Sequence, residues 1–276
     1  MTVKMDYDAK GKFLKDKLEF VPEGTGLVEG KVVIITGATL GIGLAMAKLF
    51  AEHRAKVVIT GIEEEIGKAN AQFMRDCGAD VTYYNANAFN RDEIKAMFED
   101  VMKKHGRVDI LINSAGYNIP AHFKEATESQ FRQLVGIHGL AHCYTLWEAI
   151  PIMQKQGGGV VLEFGSKSSV KPGDYDPFYC TPKAGANMMM KCLNSEFGPD
   201  GIRFNCICPG PTITGMTQDN SGKIVDAFED GSVKSMVGLR KIAMPIDIAE
   251  AALIICSEHA GYVAGLTYNV DGGIVR

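Results

Sequence analysis

Thr36-Gly37-Ala38-Thr39-Leu40-Gly41-Ile42-Gly43 follows an unbroken apolar run, Val32-Val33-Ile34-Ile35, and leads straight into a segment where Ile42, Ala45, Met46, Leu49 and Phe50 recur at helical steps. An apolar run without polar alternation is the pattern of a strand buried on both faces, and steps of three and four place one stripe of a helix on a core. Glycines between such elements let the backbone turn tightly and approach a ligand, while the first helical amides lack intrahelical acceptors and carry partial positive charge. The segment reads as a strand, turn and helix suited to a pyrophosphate. Glycines also mark plain turns; the strand before and the helix after give these their phosphate reading.

Outward from this unit, strand-like runs recur at Val32–Thr36, Lys56–Thr60, Val81–Asn85, Ile110–Asn113, Val160–Phe164, Ile202–Cys208 and Leu266–Val270, with helix-like runs between them. Regular alternation predicts an α/β fold, a doubly wound parallel sheet with helices on both faces. At 276 residues the chain suits one such domain, over 27–276, preceded by an arm over 1–26. The arm carries Phe13, Leu14, Leu18, Phe20 and Val21 among lysines. It packs on the domain or reaches a neighbouring subunit, or it is a partly ordered tail.

Apolar residues at 46% and charged residues at 22% are ordinary globular values. No apolar run approaches the roughly 20 residues of a membrane span, and the first residues lack the apolar core of a secretory signal, so a cytoplasmic location is expected. A formal charge of −4 offers no basic face for nucleic acid. The seven scattered cysteines suit free thiols; Cys180, beside Tyr179, is a nucleophile only if a histidine reaches it and otherwise a bystander. No metal site is expected.

The turn has the spacing TGxxxGxG, and with it the sequence resembles the short-chain dehydrogenase/reductase family over residues 27–276. The likeness extends to Asn113-Ser114-Ala115-Gly116 after the fourth strand, to Tyr179-Cys180-Thr181-Pro182-Lys183 as YxxxK, to Ser166 thirteen positions before Tyr179, and to Pro209-Gly210 after the sixth strand. It implies a Rossmann-type fold, a nicotinamide dinucleotide held by Gly37, Thr39, Leu40, Gly41, Ile42 and Gly43, and further contacts from Asn113, Ala115 and Gly116. It places Pro209, Gly210, Thr212 and Thr214 at the nicotinamide carboxamide, and Asn87, with Ala88, where an Asp usually holds the adenine.

An acidic residue at the end of the second strand would accept the ribose hydroxyls of NAD. Gly61 stands there, followed by Ile62, and Leu40 fills a turn position where NADP-linked relatives often carry a base. Glu63, just beyond, can take the hydroxyls and repel a 2′-phosphate, so NAD is expected over NADP; Glu63 also suits the dipole of the helix it begins.

Alcohol oxidation needs a base for the hydroxyl proton, and ketone reduction uses the same group as an acid. A phenol with a pKa of about 10 needs a cation beside it, and residues four apart share a helix face, which brings Lys183 to Tyr179. The resemblance implies that Ser166 binds the substrate oxygen, Tyr179 exchanges the proton, and Lys183 binds the nicotinamide ribose and lowers the tyrosine pKa. Ser168 and Ser169 are left to loop solvation. Pro182 is tolerated if the helix starts within a few residues of Tyr179. His138 stands where the family usually has an Asn that holds a proton path to the lysine; it serves that path or fills a polar pocket.

The stretch Gly215–Val237, with Met216, Ile224, Phe228, Val233 and Met236, reads as a substrate lid, and Tyr117, Ile119, Pro120 and Phe123 add apolar surface; core packing explains the same residues. An apolar small-molecule substrate is expected. The arm and the NAD preference resemble the 20β-hydroxysteroid dehydrogenase group, and the family habit is a homotetramer built through the helices carrying His138 and Tyr179. The rival readings are an NADP-linked ketoreductase of a small or acyl-carrier substrate and a catalytically silent dinucleotide-binding protein.

Overall fold

β1 (Val32–Thr36) has no exposed residue, because it lies at the centre of a sheet covered on both faces. The computed structural model describes residues 26–172, 176–215 and 235–274. The arm therefore lies outside the described residues apart from Gly26, as do Met216, Ile224, Phe228 and Val233 of the expected lid.

The elements alternate as α1 (Gly41–Glu52), β2 (Lys56–Gly61), α2 (Glu64–Asp76), β3 (Val81–Asn85), α3 (Arg91–His105), β4 (Ile110–Asn113), α4 (Glu128–Val135), α5 (Ala141–Gln156), β5 (Gly159–Phe164), α6 (Pro177–Phe197), β6 (Ile202–Pro209), α7 (Pro245–Cys256) and β7 (Thr267–Val270). The seven strands form one sheet in the order β3-β2-β1-β4-β5-β6-β7, every neighbour parallel. The expected strands are all present, with ends differing by a residue.

Strand alternation divides the core. Val33, Ile35, Ile112, Leu162 and Ile207 pack with α1, α2 and α7, whereas Val32, Ile34, Leu111, Val161, Phe204, Cys206 and Cys208 pack with α3, α5 and α6. The chain builds outward from β1 to β3 and then returns to lay β4 against the other side of β1. Ligands of open α/β sheets bind beyond the carboxyl ends of the strands at such a reversal. A broad concavity of about 750 Å³ at the opposite end, lined by Lys31, Arg107, Gln156 and Arg203, contains none of the expected site residues.

Two helices depart from simple geometry. Between α4 and α5 the chain makes a π turn, Gly136–Leu140, so the expected helix through His138 is one long rod with a bulge at that residue. α6 starts two residues before Tyr179 with Pro177 at its first position, where the missing amide costs nothing; Pro182 falls just past the first turn.

Candidate active site

Thr36 ends β1 and its Oγ1 accepts the amides of Ser114 and Ala115, each at 3.1 Å, which ties the glycine turn to the segment after β4. Gly37 has φ +63°, and a Cβ there would sit 2.6 Å from Ala115 Cα; a Cβ on Gly43 would sit 2.3 Å from the Gly37 carbonyl oxygen. Only glycine permits this closeness. α1 then begins at Gly41, with no side-chain cap from Leu40 before it and no acidic residue in its first turn. Its amides and positive dipole end fit the pyrophosphate of a nicotinamide dinucleotide. A side-chain carbon on Gly41 would lie 3.6 Å from Thr214, so the Pro209–Thr214 segment closes the other side of the turn. Within it Thr212 is buried and its Oγ1 donates to the Gly210 carbonyl at 3.0 Å.

At the end of β2, Gly61 is buried against Thr39: a Cβ would lie 2.6 Å from Thr39 Cγ2 and 3.2 Å from Glu63 Oε2. The Glu63 carboxylate thus occupies the space into which a side chain at 61 would project, and Thr39 Oγ1 donates to it at 2.6 Å. Ile62 and Leu40 are exposed on either side. Asn87 is exposed and its Oδ1 accepts the Phe89 amide at 3.0 Å in a local turn, with Ala88 half-buried inside it.

Ser166 follows β5 and is buried. Its hydroxyl accepts the Ser168 amide at 3.1 Å, while Ser169 Oγ donates to the Ser166 carbonyl at 2.5 Å and accepts from Asn187 Nδ2 at 3.0 Å. Ser169 was expected to solvate a loop; it instead brackets Ser166 from behind. Burial pushes the Tyr179 phenol up to about 12, and the neighbouring Ser166 hydroxyl draws it down only in part. Lys183 is buried one turn on, its Nζ 5.8 Å from the Tyr179 ring centroid and donating to the Phe164 carbonyl at 2.5 Å. Burial lowers the lysine pKa and the charge of Glu163 opposes that. Burial thus favours the neutral phenol, and the Lys183 ammonium is engaged with the backbone.

His138 edges onto the Tyr179 ring, with centroids 5.2 Å apart and planes at 84°. Its Nε2 lies 2.7 Å from the Tyr117 carbonyl oxygen, an acceptor only, so Nε2 carries the hydrogen. Burial holds its pKa well below 6.5, which leaves a neutral ring whose Nδ1 lone pair is buried without a partner among the described residues. Gly116 makes room for it: a Cβ there would lie 2.3 Å from His138 Cε1. Beside the site Phe178 packs against Phe123 and Phe131 at 5.5 and 4.7 Å between centroids, and Asn118 Nδ2 donates to Asp176 Oδ2 at 2.6 Å.

Asn113 is fully buried, its side chain engaged by Glu163 and Thr145 and not directed to the cleft by any recorded contact. Glu163 and His142, two buried groups in contact beneath the site, had no counterpart in the sequence reading. An acid inside an apolar strand was the available signal.

A family model described as enoyl-(acyl carrier protein) reductase matches residues 37–275. The 3-oxoacyl-(acyl-carrier-protein) reductase of Chlamydia muridarum is 32% identical over 250 residues, 90% of this chain and 98% of that protein. L-sorbose reductase from Gluconobacter frateurii, solved with NADPH and L-sorbose, superposes with a TM-score of 0.83 at 29% identity over 90% of this chain and 98% of that one. A 7α-hydroxysteroid dehydrogenase solved with NADH and 7-oxo glycochenodeoxycholic acid gives a TM-score of 0.84 at 29% identity, covering 91% of this chain and 96% of that one.

Proposed function

The chain belongs to the short-chain dehydrogenase/reductase family, and from that premise we propose that it interconverts a secondary alcohol and a ketone with NAD(H), on a rigid apolar substrate of the hydroxysteroid class. The observation that carries the proposal is the meeting of Ser166, Tyr179 and Lys183 beside the glycine turn at the carboxyl end of the sheet. A silent binding protein has no need to assemble them.

When bound, the dinucleotide supplies or takes the hydride. Ser166 hydrogen-bonds the substrate oxygen, and Tyr179, whose phenol holds its proton, delivers it to that oxygen during reduction. Lys183 binds the ribose and brings a positive charge toward the phenolate that remains. His138 offers its Nδ1 lone pair to a water-linked path that returns the proton.

The carboxylate of Glu63, placed where an acidic side chain at 61 would reach, supports NAD over NADP. The cluster of Phe123, Phe131 and Phe178 supports an apolar substrate. The 20β-hydroxysteroid group is the first candidate, because the arm over 1–26 and the NAD preference resemble it. An NADPH-linked reductase of an acyl-carrier or sugar substrate is the second reading, favoured by the relatives named above. Leu140, Trp147 and Met188 expose apolar surface on the rod carrying His138 and on α6, which suits a homotetramer of four chains by light scattering.

Absorbance at the reduced-nicotinamide band, with NADH or NADPH against 20-oxo, 7-oxo and 3-oxo steroids, L-sorbose and a 3-oxoacyl thioester, tests the proposal. The expected result is NADH oxidation with an oxosteroid, and a Glu63→Ala variant whose preference for NADH over NADPH falls by about tenfold or more, the size of a lost charged hydrogen bond. Wild-type preference for NADPH, or oxidation of neither cofactor with any ketone, contradicts it.

A further inference from the structure

Glu163 is an acid in an apolar strand, fully buried, with Asn113 of β4 and Cys206 of β6 as its lateral neighbours. An isolated carboxylate is not tolerated in such a place. Asn113 Nδ2 donates to its Oε2 at 3.2 Å, and Asn113 is itself fixed by Thr145 Oγ1, which donates to Asn113 Oδ1 at 2.7 Å. His142 Nδ1 meets Oε1. The other ring nitrogen, Nε2, lies 2.9 Å from the Ala115 carbonyl oxygen, which only accepts, so Nε2 carries a hydrogen. Nδ1 is then the nitrogen left to hydrogen-bond the Glu163 carboxylate.

Strand alternation turns Glu163 to the same sheet face as α5 and α6, the face from which Lys183 reaches the carbonyl of Phe164, the residue next to Glu163. The Lys183 ammonium is buried and makes no ion pair among the described residues, so its charge requires a compensating one nearby. We propose that Glu163 is the buried counter-charge of Lys183, a positioning residue clamped by Asn113 and His142 that keeps the ammonium protonated on the Phe164 carbonyl. The proposal deepens the catalytic reading of Lys183 and rests on it for its functional meaning.

The other groups facing this cluster are Tyr179 from α6, Cys143 from α5, His138 from the π turn, and Cys206 and Cys208 from β6. Burial raises Cys143 and keeps His138 neutral. Cys208 is the rival negative group, since a hydrogen bond with Cys206 and others with Ser169 and Asn187 lower its thiol to about 6.

The test is a titration of Lys183 in the cofactor-free protein by NMR of side-chain carbon-13-labelled lysine, its signal assigned by its loss in Lys183→Arg. In Glu163→Gln, which keeps the side chain's volume, Lys183 is expected to titrate lower by about one pH unit or more. In Cys208→Ser it is expected to stay in place. An unchanged titration in Glu163→Gln, or an equal fall in Cys208→Ser, overturns the proposal. Should Glu163→Gln fail to fold, His142→Gln decides: with the competing imidazole gone, a titration at or above the wild-type position supports the proposal and one below it overturns it. Intact turnover in Tyr179→Phe would remove the catalytic reading while leaving this titration untouched, so the two failures are distinguishable.

Discussion

His138 is a buried imidazole with one nitrogen committed and the other without a partner among the described residues, and both properties have consequences that can be measured. Its folded pKa lies well below the unfolded value near 6.5, so below that pH the unfolded chain binds a proton that the folded protein refuses. Stability from this group is complete above pH 6.5 and is lost as the pH falls toward the folded pKa, with a slope of up to about 1.4 kcal/mol per pH unit. His138→Asn is expected to flatten that part of the pH dependence in urea unfolding between pH 7.5 and 5. Equal slopes would contradict a neutral buried ring. The same variant is expected to keep turnover and alter its pH profile; an unchanged profile would count against a proton path through Nδ1. The sequence supplied the position of His138 but not its tautomer, which depends on a carbonyl 21 residues away.

At the scale of elements the glycine turn is the most constrained piece. Gly37→Ala combines a left-handed φ of +63° with a Cβ 2.6 Å from Ala115 Cα, so it should force the turn away from the segment after β4. Gly78→Ala is the matched control, with φ +91° and nothing within 4 Å of its Cβ. Both variants should melt at lower temperature, and only Gly37→Ala should weaken NADH binding, by about tenfold or more in calorimetric titration. Wild-type affinity in Gly37→Ala would contradict the cradle. This unit was legible because local signals suffice for it: a four-residue apolar run, glycines, then helical periodicity. The bulge at Gly136–Leu140 was not legible, because a π turn differs from an α-helix by one residue of register and keeps the same apolar stripe. Ser169 was misjudged for a related reason: two adjacent serines look alike in sequence, and only the approach of Asn187 and Cys208 makes one of them an internal bracket.

For the whole molecule, the strand order brings four separate strand ends, those of β1, β4, β5 and β6, to one edge, and the turn, the Ser114–Gly116 segment, Ser166 and Pro209–Thr214 follow from them in that order. Alternation of apolar runs revealed that arrangement, since parallel strands buried on both faces leave no other pattern. The Glu163–His142 pair escaped notice because its members sit 21 residues apart on a strand and a helix, each of which reads as ordinary apolar core around one polar residue. The most direct test of the central claim is single-turnover reduction of an accepted ketone by NADH, wild type against Tyr179→Phe, with NADH affinity measured in parallel. The account predicts a rate loss of about 10²–10⁴-fold, the usual worth of a positioned acid, at unchanged NADH affinity. Wild-type rates in Tyr179→Phe would contradict it.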